Sequence, residues 1–436
     1  MLKRALALPA LKRVLQNFAV LAGGRAVGGV LGFLSTLLSA RALGPDGFGT
    51  VAMIGAYMLV VRAFCNVKPF EAIVRYGVAL DEERDLDGLA RLLRVSLALD
   101  CLSALSGTLL ATTIAWWARE PLGWSDETAR IAVGYCSVLL FSGTATASGA
   151  LRIFDRFDAI SIVQATSGLW RLLGVGLLVL SGHARIETVA AVWASAQLVQ
   201  YLGVLWFGGR EVAARLPWSR LRGPLELRRM GQEHPDLWSF LNVIYWQATL
   251  DMVPKSLGTL YAGALLGAEG AAMYRIAREF ANVVAKPAVL VRQAIYPDLA
   301  RLRHRRDRAF RHVVVSMAAL MGVPALVLAV VSAWWGDALL AATVGPDFAP
   351  AASVLTWLIA AATLELAAAP LRPAGYALGV AKAMLGIQAL ASVLFIATFQ
   401  LLTPSLGLIA PGIATLVLWA TSLAGMAWTV RRALDD

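Results

Sequence analysis

Forty-eight consecutive residues, Ala383 to Val430, carry no charge, and that run decides the solvent in which this chain folds. A helix of about 20 residues crosses roughly 30 Å of hydrocarbon. The run therefore holds two spans, broken at Thr403-Pro404-Ser405. Shorter uncharged runs recur at Ile131–Leu151 (21 residues), Thr188–Gly209 (22) and Val313–Gly336 (24). None alternates with period two, so a transmembrane barrel is disfavoured. The chain is 58% hydrophobic and 15% charged over 436 residues, whereas soluble domains carry about a quarter charged residues. The expected class is an all-α polytopic membrane protein. Its twelve spans are placed at 17–40, 50–74, 95–116, 130–151, 159–181, 188–209, 237–262, 271–297, 312–335, 351–371, 382–402 and 406–430.

The basic N-terminus (Lys3, Arg4, Lys12, Arg13) leads into an apolar stretch that runs past Ala40 without a small-residue cleavage site. It reads as the first span rather than a cleavable signal. Cys65, Cys101 and Cys136 all fall in apolar spans and read as packing residues. Lys and Arg in the loops set the orientation. With the N-terminus inside, the cytoplasmic segments hold 26 basic residues; the opposite side holds Arg41, Arg119, Arg130 and Arg185. Both termini are therefore expected in the cytoplasm of a bacterial cell, with the chain in the inner membrane. The basic residues are scattered over many short loops, which argues for topology and anionic-lipid contact and against nucleic acid.

The longest loop, about 209–236, halves the chain into expected six-helix lobes, 1–215 and 216–436. Gly44-Pro45-Asp46-Gly47-Phe48-Gly49 after span one has a counterpart in Gly267-Ala268-Glu269-Gly270-Ala271-Ala272 after span seven. Asn66-Val67-Lys68-Pro69 echoes the NVVAKP stretch from Asn282 to Pro287. Six spans per half gives parallel repeats, an arrangement that places a site between two bundles.

Fourteen ionisable residues fall inside these spans. Nine are basic: Arg25, Arg62, Lys68, Arg171, Lys255, Arg275, Arg278, Lys286 and Arg292. Five are acidic: Glu71, Asp100, Asp251, Glu279 and Glu365. Each costs at least about 2.5–3.5 kcal/mol at mid-bilayer unless it faces protein or a wet cavity. Eleven of the fourteen lie in spans one, two, seven and eight, so these helices are expected to line one polar chamber. In span eight, Arg275, Arg278, Glu279, Asn282 and Lys286 share a helical face; in span seven, Gln247, Asp251 and Lys255 do. Gln164, Ser167 and Arg171 form a shorter stripe in span five. Asp251–Lys255, Arg275–Glu279 and Lys68–Glu71 are equally readable as internal ion pairs, but pairing leaves a surplus of cations. Pro69, Pro254 and Pro287 lie beside these charges and mark kinks.

ARALGPDGFGTVAM (40–53), GALLGAEGAAMY (263–274), TVGPDFAPAASVLTWL (343–358), YALGVAKAMLGIQ (376–388) and the Leu406-Gly407 to Ala410 start of span twelve, in that order, resemble a known family. They are similar to the polysaccharide transporters, or Wzx-type flippases, of the multidrug/oligosaccharidyl-lipid/polysaccharide (MOP) exporter superfamily. The resemblance implies two six-helix lobes around a central cationic cavity. It also implies translocation of undecaprenyl-diphosphate-linked oligosaccharide from the cytoplasmic to the periplasmic leaflet.

From the charges, the expected substrate-binding set is Arg25, Arg62, Lys68, Lys255, Arg275, Arg278 and Lys286, with Asp251, Glu279 and Glu365 as candidates for ion coupling. The expected partners are a lipid-linked anionic glycan, membrane lipids and other glycan-assembly membrane proteins. No cofactor and no metal is expected. The chain has no GxxxxGK[ST] loop, so ATP is not the direct energy source. Alternatives are a cation-drug antiporter of the same superfamily, which calls for an acidic or aromatic chamber, and a peptidoglycan-precursor flippase. A membrane-embedded glycan polymerase or ligase is a third, and it needs a large catalytic outer loop that this chain lacks.

Overall fold

The computed structural model describes residues 9–67, 69–117, 119–120, 123–304 and 309–435, with the side chains of 9–22, 218, 287–313, 377 and 435 outside that description. Every regular element among the described residues is helical. The helices are α1 (Pro9–Cys65), α2 (Pro69–Glu82), α3 (Leu86–Trp117), α4 (Asp126–Cys136), α5 (Ala145–Ile153), α6 (Phe157–Leu180) and α7 (Ile186–Arg215). There follow the short α8 (Trp218–Leu221) and α9 (Leu227–Glu233), then α10 (Leu237–Leu250) and α11 (Gly258–His304). The chain closes with α12 (Ala309–Thr343), α13 (Ala351–Ala368), α14 (Leu371–Ala377), α15 (Ala381–Leu406) and α16 (Ala410–Asp435).

Among the described residues, eight stretches are long and apolar enough to cross a membrane. Two of them, Gly23–Cys65 and Ala381–Leu434, are each two spans interrupted at Gly44 and Gly407. Residues 237–266 and 268–304 complete the expected twelve; the charges Asp251, Lys255, Arg275, Arg278 and Glu279 offset their apolar content. Pro69 begins α2 after the break at 66–67 rather than kinking a continuous helix, a position where its missing N–H costs nothing.

The chain forms two compact units. The first comprises residues through Ala42 with Tyr57–Thr249; the second comprises Leu43–Ala56 with Leu250 onward. Residues 216–249, grouped by sequence with the C-terminal lobe, pack in the first unit. Leu216, Met230, Leu237 and Leu241 share a buried core there with Ile73, Leu89, Leu92 and Leu93. Ion pairs fasten the connector over that core. Arg91 Nη2 meets Glu233 Oε1 at 3.0 Å, Arg220 Nη1 meets Asp87 at 3.4 Å, and Arg75 Nη2 meets Asp236 at 2.6 Å. The Tyr76 hydroxyl donates to the same Asp236 carboxylate at 2.9 Å.

In the second unit, the repeated sequence motifs build one feature. Gly44 (φ 68°, ψ 177°) and Gly267 (φ 76°, ψ −177°) break α1 and α11 in the same way. That region of conformational space is essentially closed to side chains. Pro45 then starts the continuing helix, and the extended ψ of Gly44 is what a following proline demands. The two corners pack directly on each other: a Cβ on Gly49 would run into the Ala268 carbonyl, and one on Gly263 into the Met53 thioether. Phe48 and Phe348, from the two Gly-Pro-Asp motifs, are both buried and meet edge to face at 6.3 Å. Around them α11 and α12 pack on α13, and α13 and α15 pack on α16.

Nothing lies within 4 Å of an added Cβ at Gly44 or Gly267, so substitution there meets only backbone strain. Gly44→Ala and Gly267→Ala should each destabilise by about 1–3 kcal/mol. Gly176→Ala, in a helix with equal free space, should leave thermal unfolding in detergent unchanged or slightly raised. The bond from Tyr76, then the charge of Arg75, hold Asp236 below the usual carboxylate range. A depressed value means that the pin contributes above the unfolded pKa of about 3.9 and is lost as pH falls through the lower folded value. Hydrogen exchange of 227–236 should therefore accelerate only at strongly acid pH, and Asp236→Asn should give the fast rates at neutral pH.

Candidate functional site

In the first unit, glycines let α1 come against α6. A Cβ on Gly28 would sit 2.8 Å from the Gln164 carbonyl oxygen, and one on Gly168 would sit 3.0 Å from that of Gly28. Small residues spaced by four allow such close backbone approach in membranes. Beside this contact lies a polar cavity of about 330 Å³. Arg25, Gln164, Ser167, Arg171, Trp193, Gln197 and Gln200 contribute to its wall, and among the described residues no carboxylate does. Its size falls at the lower end of small-molecule sites, about 300–1,000 Å³.

Arg171, Arg62 and Arg152 of this unit rest on aromatic rings. Arg171 lies 3.4 Å from the Trp193 ring centroid and donates to Thr36 Oγ1 at 3.2 Å. Trp193 Nε1 donates to Ser39 Oγ at 3.2 Å, which fixes the ring. Arg62 lies 5.0 Å over Tyr201, and Arg152 lies 4.1 Å over Phe70. A ring face attracts a guanidinium without neutralising it. Asp100, fully buried, accepts from the Thr146 amide at 2.6 Å and lies within electrostatic range of Arg62. Gln164 Oε1, Tyr201 Oη and Arg62 Nε are buried without a hydrogen-bond partner among the described residues. Buried polar atoms left so are unusual in a finished core and suit a cavity that takes water or ligand.

In the second unit, a π-turn at Val253–Leu257 separates α10 from α11. Pro254 supplies no amide, and the Leu257 amide reaches back to the Met252 carbonyl at 3.4 Å, one residue further than in an α-helix. Tyr274, fully buried, donates to the Pro254 carbonyl at 2.9 Å and accepts from Arg278 Nη1 at 2.9 Å. Gly258 makes room for that hydroxyl, because a Cβ there would lie 2.7 Å from it. Asp251 pairs with Arg372 at 3.3 Å, and Arg372 donates to Gln388 Oε1 at 2.9 Å.

The sequence-derived cations divide as follows. Arg25 is exposed and lines the polar cavity, and Arg62 sits in the first unit on its tyrosine. Arg275 pairs with Glu279 at 2.5 Å, the i,i+4 pair that the spacing suggested. Arg278 is buried on Tyr274, while Lys255 and Lys286 are exposed. Among the described residues no carboxylate lies within 4 Å of Arg25, Arg62, Lys255, Arg278 or Lys286. Lys68 and the side chain of Arg292 lie outside the described residues. Of the coupling candidates, Asp251 and Glu279 are engaged by arginines, and Glu365 is half-buried with a partner. The suggested Asp251–Lys255 pair does not form, because the π-turn between them rotates Lys255 off the i,i+4 register. Arg372, assigned by sequence to a loop, supplies the charge instead. Sequence reasoning also missed Trp193, Gln197, Gln200 and Tyr201. Their spacing along α7, i, i+4, i+7 and i+8, is a helical face within an uncharged run and was the available signal.

No protein-family model matches the chain. The inner membrane protein YghQ of Escherichia coli (strain K12) is 25% identical over 325 residues, covering 73% of this chain and 89% of that protein. Solved structures extend the likeness. An inward-facing multidrug resistance MATE-family transporter of the MOP superfamily superposes with a TM-score of 0.73 at 13% identity, over 93% of this chain and 94% of that one. The Vibrio cholerae MATE transporter VcmN in its bent form gives 0.55 at 14% identity, over 96% and 98%. The fold is that of the MATE transporters. The chain is a multi-pass inner-membrane protein with that fold.

The Asp251–Arg372 pair and its unformed alternative give a direct test. Arg372→Ala strands Asp251 and Gln388 and should cost about 3 kcal/mol, the low end for a broken buried pair, since 35% of the Asp251 side chain is exposed. Lys255→Ala should change stability by less than about 0.5 kcal/mol. Thermal unfolding in detergent distinguishes the two.

Proposed function

We propose that the chain is a flippase that carries an undecaprenyl-diphosphate-linked anionic oligosaccharide from the cytoplasmic to the periplasmic leaflet. The observation that carries this reading is the sign and chemistry of the first unit's cavity. Its charged wall is arginine, Arg25 and Arg171, beside three glutamine amides and a tryptophan ring. Amides offer both donors and acceptors to sugar hydroxyls, and an indole face covers a sugar's apolar face. Arginine forks match phosphate or carboxylate oxygens.

A glycan crossing hydrocarbon unaided leaves its hydroxyls unsatisfied at several kcal/mol each. In this mechanism the cavity replaces water around the glycan while the polyprenyl tail stays in the lipid. The two units then alternate in exposing the site to either side, as parallel-repeat transporters do. Asp251, Glu279 and Glu365 are the candidates for coupling to an ion gradient, the first two in contact with arginines.

The second reading is a cation antiporter, which the MATE fold favours. A cationic drug would meet Arg25 and Arg171 with no carboxylate in the same wall, which opposes it.

The test uses purified protein in vesicles with a fluorescent polyprenyl-diphosphate oligosaccharide. Wild type should flip it. Arg25→Gln should slow flipping about tenfold at unchanged protein level, the loss of one charge-assisted contact, and Arg25→Glu should abolish it. Unchanged rates in both variants would sink the site. Efflux of an organic cation that Arg25→Glu enhances would establish the antiporter instead.

A further inference from the structure

A second cavity in the first unit has the opposite character. It is a groove of about 780 Å³ between the start of α3, α5 and the end of α7, closed at one end by the α8 connector. Leu93, Leu97, Leu205 and Trp206 form apolar wall, and Leu97 and Trp206 are exposed on the helix surface. Among the described residues its ionisable lining is Arg94, Arg210 and Arg222. All three belong to segments that the Lys and Arg distribution places at the cytoplasmic face.

Among the described residues no carboxylate lines the groove. Arg94 Nη1 donates to the Arg220 carbonyl at 2.9 Å, and its Nε is buried without a hydrogen-bond partner. Arg210 is exposed and makes no ion pair among the described residues. An apolar trough ending in the guanidinium groups of Arg94 and Arg210 at the level of the headgroups matches one kind of ligand. Basic pockets between transmembrane helices on the cytoplasmic side bind anionic lipid headgroups, and an apolar wall gains from each methylene it covers.

We propose that this groove binds one anionic phospholipid of the cytoplasmic leaflet, its acyl chain along Leu97 and Trp206 and its phosphate between Arg94 and Arg210. The lipid is distinct from the transported substrate. It bridges the end of α7 to α3 beneath the ion-paired connector, so it braces the first unit from the membrane side.

Native mass spectrometry of the full chain in mild detergent tests this, with phosphatidylglycerol, phosphatidylethanolamine and undecaprenyl phosphate as probes. Wild type should retain one phosphatidylglycerol and exchange phosphatidylethanolamine freely. Arg210→Gln should weaken retention about fivefold, the effect of one arginine near anionic lipid. Gly209→Leu should eliminate it, because a Cβ at Gly209 meets nothing within 4 Å and the added bulk occupies the groove. If Gly209→Leu fails to fold, Arg210→Gln, an exposed position, carries the test alone. Arg130→Gln, on the opposite face, should retain lipid as wild type does. Equal retention of both phospholipids, or wild-type retention by Arg210→Gln, overturns the proposal. Displacement of phosphatidylglycerol by equimolar undecaprenyl phosphate overturns it as well, by assigning the groove to the carrier lipid.

Discussion

A guanidinium in hydrocarbon must find a surface that replaces its water, and the choice of that surface shapes both units of this protein. A carboxylate neutralises the charge; a ring face shelters it and leaves it positive. The first unit uses rings, with Arg62 on Tyr201, Arg152 on Phe70 and Arg171 on Trp193. The second uses mostly acids and amides, with Arg275 on Glu279 and Arg372 between Asp251 and Gln388. Arg278 is the exception there and rests on the Tyr274 hydroxyl.

The backbone obeys the same rule. Away from water an irregular turn has to satisfy its own polar groups. Gly44 and Gly267 turn a chain corner in a single residue, so few amides are left over. The π-turn at Val253–Leu257 frees a carbonyl at Pro254, and Tyr274, twenty residues on, donates to it. That hydroxyl also receives Arg278, so one buried side chain closes a break in the helix and anchors a charge.

Much of this was legible in the sequence, because the signals were local. Uncharged runs mark spans, and Gly-Pro-Asp and Gly-Ala-Glu mark the two equivalent corners that the structure shows at Gly44 and Gly267. The Arg275–Glu279 pair follows from helical spacing alone. The failures share a cause as well. Asp251–Lys255 assumed an unbroken helix, and one residue of π geometry between them cancels the register. Arg372 sits between Pro370 and Pro373, which read as a loop, yet α14 folds it inward to within 9% exposure. Charge counting drew attention to arginine and away from Gln197, Gln200 and Trp193, which carry no charge and are three of the seven side chains named in the cavity wall. The connector at 216–236 read as a spacer because its partners, Asp87, Arg91 and Arg75, are more than a hundred residues away.

Resting an arginine on a ring has a consequence for timing. Arg171 on its ring and Arg25 beside it give the cavity a positive wall, with no described carboxylate in it to offset them. In the flippase proposed above, release of an anion from such a wall would need the wall to come apart or a competing anion to take its place. Trp193 is bonded to Ser39 on α1 as well as stacked under Arg171 on α6. A slide of α1 along its glycine contact with α6 would pull both sides of the grip at once.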